Sequence, residues 1–521
     1  MKSSLLHFGA LITAAFCMLS CAEQSNSWRD LNGGSANLTD STDLQLLSLS
    51  KLTVIDEAGL PIPQATVLVG FEPGNPFPGN LLTTDQLGMA EVPADWKAAL
   101  PVTVQAPGFI ANTIPVALPG EMSVRLFKQE GRQELEVQGK ATEFGRIIKD
   151  GKIDFALVIP ALTRSQMLAF DLSTVISPKT DTISIIGNDI EIPSNISLPK
   201  QTENYIFPIT IDKPAYRVYM RDPGQYVVSA THGQFPLQRV ISEIRAGKSM
   251  FEIINHFTFL GGGHQQLDVQ GNIKNADLPV NQSRFTSQVR VTAPNYSAQH
   301  VMISLALKEQ NDLLLPTDLK RLTPGQSMNM KTDSTGSSTV LSLLLENSPS
   351  LTSNAPFVKL FEPLLKLEGG WLAPQPQVKD SQDFAKLSFA ILPADGGAVS
   401  PQFLPLVAAP ELNGNILNLD VPVLPAGLSV MATYLVFSEI ETISAGKLST
   451  ERRTRLWELW SANWLDQIEL PQIDFPRLPN RKYRWEVMFL AGPANFNGDL
   501  IAGEGVDLNT VTHVTRNATD L

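Results

Sequence analysis

Three of the seven tryptophans, Trp457, Trp460 and Trp464, fall within eight residues of one another, flanked by Arg455, Glu458 and Asp466. At spacings of three and four they would form one stripe along a helix. An exposed stripe of this kind could stack on sugar rings or anchor a protein partner. A buried one fills a core, which is the commoner fate of large aromatic side chains. Trp457, Trp460 and Trp464 are therefore the candidate ligand contacts, and core packing is the competing reading.

Other residue types with chemical potential are scattered. Beyond the first twenty residues the histidines are His232, His256, His264, His300 and His513. No two stand four apart or in a His-x-His pair, so no zinc pattern is present. A Gly-x-Ser-x-Gly elbow is also absent. Gly261-Gly262-Gly263 lacks the Lys-Ser/Thr of a phosphate loop and follows a helical passage, so it reads as a loop that stops the helices. Asn495, Asn497 and Asp499 alternate as calcium ligands do, with Glu504 and Asp507 beyond. Leu500 stands where such a loop needs glycine, and an Asx-rich turn fits better. Fifty-two acidic residues supply many carboxylate pairs without singling one out. The expected complement of metals and cofactors is none, and the chain is expected not to be an enzyme. The competing expectation is an envelope hydrolase, acting on carbohydrate or peptide, with a site assembled from distant residues. The helical passage Arg239–Phe259 is where that site would be sought.

The elements that must position these residues are mostly strands. Leu52-Thr53-Val54-Ile55, Ala65-Thr66-Val67-Leu68-Val69 and Val102-Thr103-Val104 are short and β-branched, separated by turns such as Thr84-Asp85-x-x-Gly88. Ile153–Ile159, Tyr216–Met220, Gly224–Ala230, Gln288–Thr292, Val301–Ala306, Tyr483–Phe489 and Thr510–Val514 continue the pattern. One passage is helical: Val240, Ile241 and Ile244, then Phe251, Ile254 and Phe257, with Gly247 dividing it. The fold class expected is mainly β, with tandem β-sandwich domains and a short helical insertion.

Composition agrees with a folded body. The 521 residues exceed one hydrophobic core, so three or four domains are expected. Apolar residues make up 43% and charged residues only 18%, below the usual fraction of about 25%. The formal charge of -12 argues against nucleic acid or an anionic lipid surface as main partner. Past the N-terminal segment, the apolar stretch from Asn415 to Phe437 comes nearest to membrane-spanning length. Asp420, Pro422, Pro425 and Gly427 interrupt it.

The two cysteines, Cys17 and Cys21, both lie near the N-terminus. Lys2 gives the segment positive charge, Leu5 to Met18 is a short apolar run, and Ser20 precedes Cys21. Phe16-Cys17-Met18-Leu19-Ser20-Cys21 resembles the lipobox of bacterial lipoproteins. The resemblance implies that Cys21 is lipidated with palmitate-type chains and becomes the mature N-terminus. Bulky Phe16 makes Cys17 the poorer candidate; an ordinary secretory signal with an incidental cysteine is the alternative. Ala22, rather than Asp, follows Cys21, which in this family implies the outer membrane, on its periplasmic face or at the cell surface. Removal of the segment would leave no free thiol, and with it no disulfide or thiolate metal site.

A second resemblance covers Lys51–Lys128. Val54-x-Asp56-x-x-Gly59-x-Pro61-Ile62, Ala65-x-Val67, Thr84-Asp85-x-x-Gly88 and Val104-x-Ala106-x-Gly108-Phe109 are similar to the carboxypeptidase regulatory-like family. That family is a transthyretin-type sandwich of non-catalytic modules. Leu478-Pro479 before Tyr483 is similar to the tyrosine corner of fibronectin type III and immunoglobulin-like domains. The expected order is a lipoprotein signal peptide (1–20), a flexible tether (21–50), the regulatory-like sandwich (51–128) and a β-rich domain with the helical segment (129–262). A second β-rich domain (263–346) and an immunoglobulin- or fibronectin-like C-terminal region (347–521) complete it. The expected function is a membrane-held binding, adhesion or scaffold module whose partner is a protein or carbohydrate ligand and not nucleic acid.

Overall fold

The computed structural model describes residues 51–129, 134–145, 147, 150–163, 179–185, 188–204, 208–220, 222–310, 313–348, 365, 385–394, 397–445, 448–473, 481–493 and 510–521. Cys21, the tether, Leu478-Pro479 and the calcium-like run at Asn495 lie outside them. Among the described residues there are 33 strands and two helices. The architecture is mainly β, with tandem sandwiches and a short helical insertion. The described residues form two compact units, one of 134–403 and 441–452, the other of 51–129, 404–440 and 453–521.

The second of these units begins with a small sandwich. Its strands are β1 (Lys51–Ile55), β2 (Thr66–Val69), β3 (Leu81–Thr83), β4 (Met89–Glu91), β5 (Leu100–Gln105), β6 (Ala111–Ala117) and β7 (Met122–Arg125). One sheet has the order β4-β1-β7 and the other runs β6-β5-β2-β3. Alternation along β1 sends Leu52 and Val54 inward to meet Val67, Val69, Val102, Val104 and Trp96. Two aspartates make the turns at one end. Asp56 Oδ1 accepts from the backbone N–H of Ala58 and Leu60, and Asp85 Oδ1 from those of Leu87 and Met89. Gly88 has φ +68°, and a Cβ there would lie 2.6 Å from the Val54 carbonyl oxygen, so the close approach needs glycine. The Pro-rich insertion after β2 folds around Asn80, which is fully buried. Its amide donates to the carbonyls of Val69 and Asn75 and accepts from Gly74 N.

The C-terminal strands of this unit extend the β6 sheet. Trp457–Leu459, within the strand Leu448–Ser461, pairs in parallel with Ala111–Thr113 of β6. Leu428–Ala445 and then Lys482–Pro493 and His513–Asp520 follow in the sheet. A polyproline-like stretch runs beside them: Leu404, Val407 and Pro410 are buried at every third residue, the period of a threefold helix without internal hydrogen bonds. The carbonyls of Pro405 and Val407 accept instead from Thr515 and Asn517 side chains.

The other unit is built on a six-stranded antiparallel sheet. Its order is Pro208–Lys213, Ile196–Asn204, Lys152–Pro160, Gly224–Pro236, Thr258–Val269, Ser283–Arg284. The helices follow its fourth strand. In α1 (Leu237–Arg245), Leu237, Val240, Ile241 and Ile244 are buried. Gly247 ends it with φ +69°, and Ser249 opens α2 (Met250–Ile254) through a reciprocal capping box with Glu252. Phe155, Phe235, Phe257 and Phe259 form one ring cluster beneath, with centroids 5.1 to 6.1 Å apart.

Gly261-Gly262-Gly263 is not the loop expected. It lies inside the strand Thr258–Val269. Cβ atoms there would meet the carbonyl oxygens of Ser283, Ala230 and Pro279 at 2.5, 2.7 and 1.9 Å. The triplet is a corridor where neighbouring backbone passes too close for any side chain. A second sandwich follows, its core formed by Val289, Val291 and Met330 from one sheet and Met302, Ala306, Leu322 and Val340 from the other. Its larger sheet continues past Glu346, since Leu387–Pro393 pairs with Ser337–Glu346.

Candidate functional site

The tryptophan segment is a strand, which corrects the helical stripe expected from its spacing. β Geometry separates Trp457 from Trp460, because residues an odd number apart face opposite sides, and Trp464 lies beyond the strand against the core that holds Trp457. Trp457 is fully buried, meets Trp485 edge-on at 5.4 Å, and donates its indole N–H to Thr113 Oγ1 at 2.8 Å. Trp460 is half-buried and stacks on Tyr434 at 3.9 Å. Trp464, beyond the strand, packs against Phe489 at 5.7 Å and donates to the Leu490 carbonyl. The three candidate contacts thus rest on three different aromatic partners, Trp457 and Trp464 at one apolar core and Trp460 on the opposite face, and form no single exposed stripe.

Around Trp460 the fold assembles a charged face. On the strand Lys482–Pro493, the odd positions Tyr483, Trp485, Val487 and Phe489 join the apolar core with Leu435, Phe437, Trp457 and Leu459. Even positions point the other way, and Glu486 is nevertheless 3% exposed. Arg453 and Arg516 both pair with its carboxylate, the latter at 3.2 Å. Arg484 pairs with Asp520 at 2.5 Å. Burial resists ionisation of Glu486, but Arg453, Arg516 and Arg484 together outweigh it and hold its pKa below the ordinary carboxylate range. Tyr434 donates to Glu458 at 2.9 Å, and burial followed by the Glu458 charge pushes its hydroxyl pKa up. Leu456 and Trp457 both face the core, so alternation slips by one residue there. That slip lets Arg453 and Arg455 share the face of Glu458 and Trp460.

The other unit holds its own polar clusters. His232 Nε2 donates to Asp154 Oδ1 at 2.8 Å, Gln234 donates to the same oxygen, and Phe144 meets the imidazole edge-on. Gln201 takes the place of a strand beside Asp154, bonding both its N–H and its carbonyl. Lys308 pairs with Asp333 at 2.7 Å and donates to Thr335 and Ser283 hydroxyls. Burial works against the Asp333 carboxylate, but the hydrogen bonds it accepts from Lys308, Ser283 and the N–H and hydroxyl of Thr335 prevail and hold its pKa at about 2. At the helical insert, His256 lies 3.5 Å from Glu243, which also pairs with Arg239. Asp318 is pushed up by burial, although Lys320 and the N–H groups of Lys331 and Leu319 engage it. No group of three His, Cys, Asp or Glu among the described residues could hold a metal ion.

None of these pairs was visible as a motif. Glu486 lies 33 residues from Arg453, and Asp154 lies 78 from His232. Only the alternation of charged and aromatic residues through Tyr483–Phe489 hinted that both faces of that strand are used.

No family model and no curated relative matches the chain. Among solved structures it is similar to the Bacillus anthracis TIE protein at 12% identity, over 56% of this chain and 44% of that one, with a TM-score of 0.14. The chain thus spans less than half the length of that protein. It is similar to BcpA, the major pilin subunit of Bacillus cereus, at 7% identity over 68% and 97% of the two chains, with a TM-score of 0.14. A streptococcal ancillary pilin matches at 9% identity over 57% and 90%, with a TM-score of 0.12. Scores at this level carry no argument about fold or function.

Proposed function

We propose that this chain is a lipid-anchored protein of the outer membrane whose β-domains serve as a non-catalytic binding, adhesion or scaffold module. The observation that carries the reading is the run Phe16–Cys21, placed ahead of a body that is strand upon strand. Two or three acyl chains on Cys21 would hold the protein durably, since each buried CH2 contributes about 0.8 kcal/mol and a single chain binds only marginally. The body supports a mechanical role. Trp457, Trp460 and Trp464 are committed to internal partners, and the buried charges around Glu486 tie neighbouring strands together.

Membrane fractionation of cells carrying wild type or Cys21→Ala tests the anchor. Wild type is expected with the outer membrane and Cys21→Ala in neither membrane as a lipidated form; soluble wild type would end the proposal. Protease shaving of intact cells then assigns the facing. Degradation of the body from outside supports adhesion, and protection supports a periplasmic scaffold.

A further inference from the structure

We infer that the end of the first sandwich which receives the chain from Cys21 rests on a lipid surface, with Val116 and Leu118 entering it. The inference builds on the anchoring proposed above. Strand registers define that end. Lys51 opens β1 opposite Glu91, the last residue of β4. Leu52 lies beside Met122, the first of β7, and Leu100 opens β5 opposite Ala117, the last of β6. The connection from β6 to β7, which begins at Leu118, therefore lies at the same end as the point where the chain enters. Val116 and Leu118 are 65% and 68% exposed. Two residues apart at the close of a strand, they emerge on one side.

Charge narrows the partner. Lys51, Glu72, Glu91, Asp95, Lys97 and Glu121 are the exposed charges on the strand ends and connections there. Acids outnumber cations, so an anionic surface gains no attraction. Apolar insertion into a zwitterionic lipid surface fits instead. Reach fits as well. A coil as long as residues 22–50 has an end-to-end distance of about 30 Å. That keeps the sandwich near its bilayer and raises the effective concentration for a contact too weak to act alone.

The opposite end of the sandwich supplies an internal control. Leu60 and Leu87 are 61% and 62% exposed. They sit on the two Asp-capped turns, one β1 length from the entry point. Lipid contact at Leu118 and none at Leu87 is the signature of a seated domain; a domain tumbling on its tether would treat the two alike.

The test uses the full lipidated chain in phosphatidylcholine vesicles containing nitroxide-labelled lipid. With Cys17 removed and Cys21 acylated, Leu118→Cys or Leu87→Cys supplies the single thiol for a fluorophore. The expected result is flotation with the vesicles and several-fold stronger nitroxide quenching at 118 than at 87. Equal quenching at both positions, with flotation intact, overturns the seat and leaves the anchor standing. A dye at 118 shielded from both nitroxide and aqueous iodide also overturns it, because protein then covers the patch, the Leu44–Leu49 run being the nearest in sequence. Failure of the wild type to float overturns the anchor and the seat together.

Discussion

The two faces of the strand Lys482–Pro493 are both buried, by opposite means. One face carries Tyr483, Trp485, Val487 and Phe489 into an apolar core with Trp457. The other carries Arg484 and Glu486 into a web with Arg453, Arg516 and Asp520. The apolar face gains from surface removed from water and is indifferent to partner identity beyond shape. The charged face gains little net energy when intact, yet loses much when one partner is removed, because the remaining charges stay buried. The first face should therefore set how stable the unit is. The second should set how that stability answers to pH and to single substitutions.

The largest effect is expected at Trp457. Trp457→Ala removes a fully buried indole, its edge-on contact with Trp485 and its hydrogen bond to Thr113. A loss of about 4 kcal/mol is expected from chemical denaturation. The charged face comes next. Glu486→Gln keeps the shape but strands Arg453 and Arg516 beside a neutral amide, and about 3 kcal/mol is expected. The depressed pKa of Glu486 fixes the sign of its pH response. Its stabilisation is present above the ordinary carboxylate pKa and is lost as pH falls through the folded value, so the gap between wild type and Glu486→Gln should close in acid. An unchanged gap at low pH would mean that the carboxylate is not the source of the effect.

How much of this was legible in the chain follows from range. Local signals worked where the cause is local. Asp56 and Asp85 bond their own turns, Val240, Ile241 and Ile244 mark α1, and Gly247 ends it. The Trp457–Trp464 spacing misled because periods of three and four suit a helix, whereas parallel pairing with β6, more than 340 residues distant, made the segment a strand. Glu486 would pass for the solvent side of a half-buried strand. Its burial depends on Arg453 and Arg516, contributed by other strands of the sheet. The glycine corridor at 261–263 answers to carbonyls of Ser283, Ala230 and Pro279, which local sequence does not reveal.

His513 separates the two kinds of burial by pH. It begins the strand that carries Arg516, is 5% exposed, and burial lowers its pKa to about 4. The unfolded chain takes up a proton near pH 6.5 and the native state does not. Stability should therefore decline as pH falls from about 6.5 towards 4 and stop declining on that account below. His513→Gln should remove this slope while leaving the lower-pH loss from Glu486 in place. In the other unit, Asp333 titrates at about 2, so its pairing with Lys308 should persist until pH falls below the ordinary carboxylate range. Thermal melts across pH 2 to 8 on Glu486→Gln, His513→Gln and Asp333→Asn, each against wild type, would resolve these windows.

The smallest effect sharpens the comparison most, because Trp460 belongs to the charged face yet is aromatic. Its ring is half-buried and stacked on Tyr434, whose hydroxyl is already held by Glu458. Trp460→Ala removes one stacking contact and part of an indole from water-exclusion, without leaving a charge unpaired. An expected loss of about 1.5 kcal/mol follows, well under that of Trp457→Ala although the residue type is the same. Glu458 should then become more accessible, and Tyr434 should titrate closer to its ordinary value, which ultraviolet difference spectra at alkaline pH would report. If Trp460→Ala instead costs as much as Trp457→Ala, the charged face is carried by apolar packing after all, and the contrast between the two faces of this sheet dissolves.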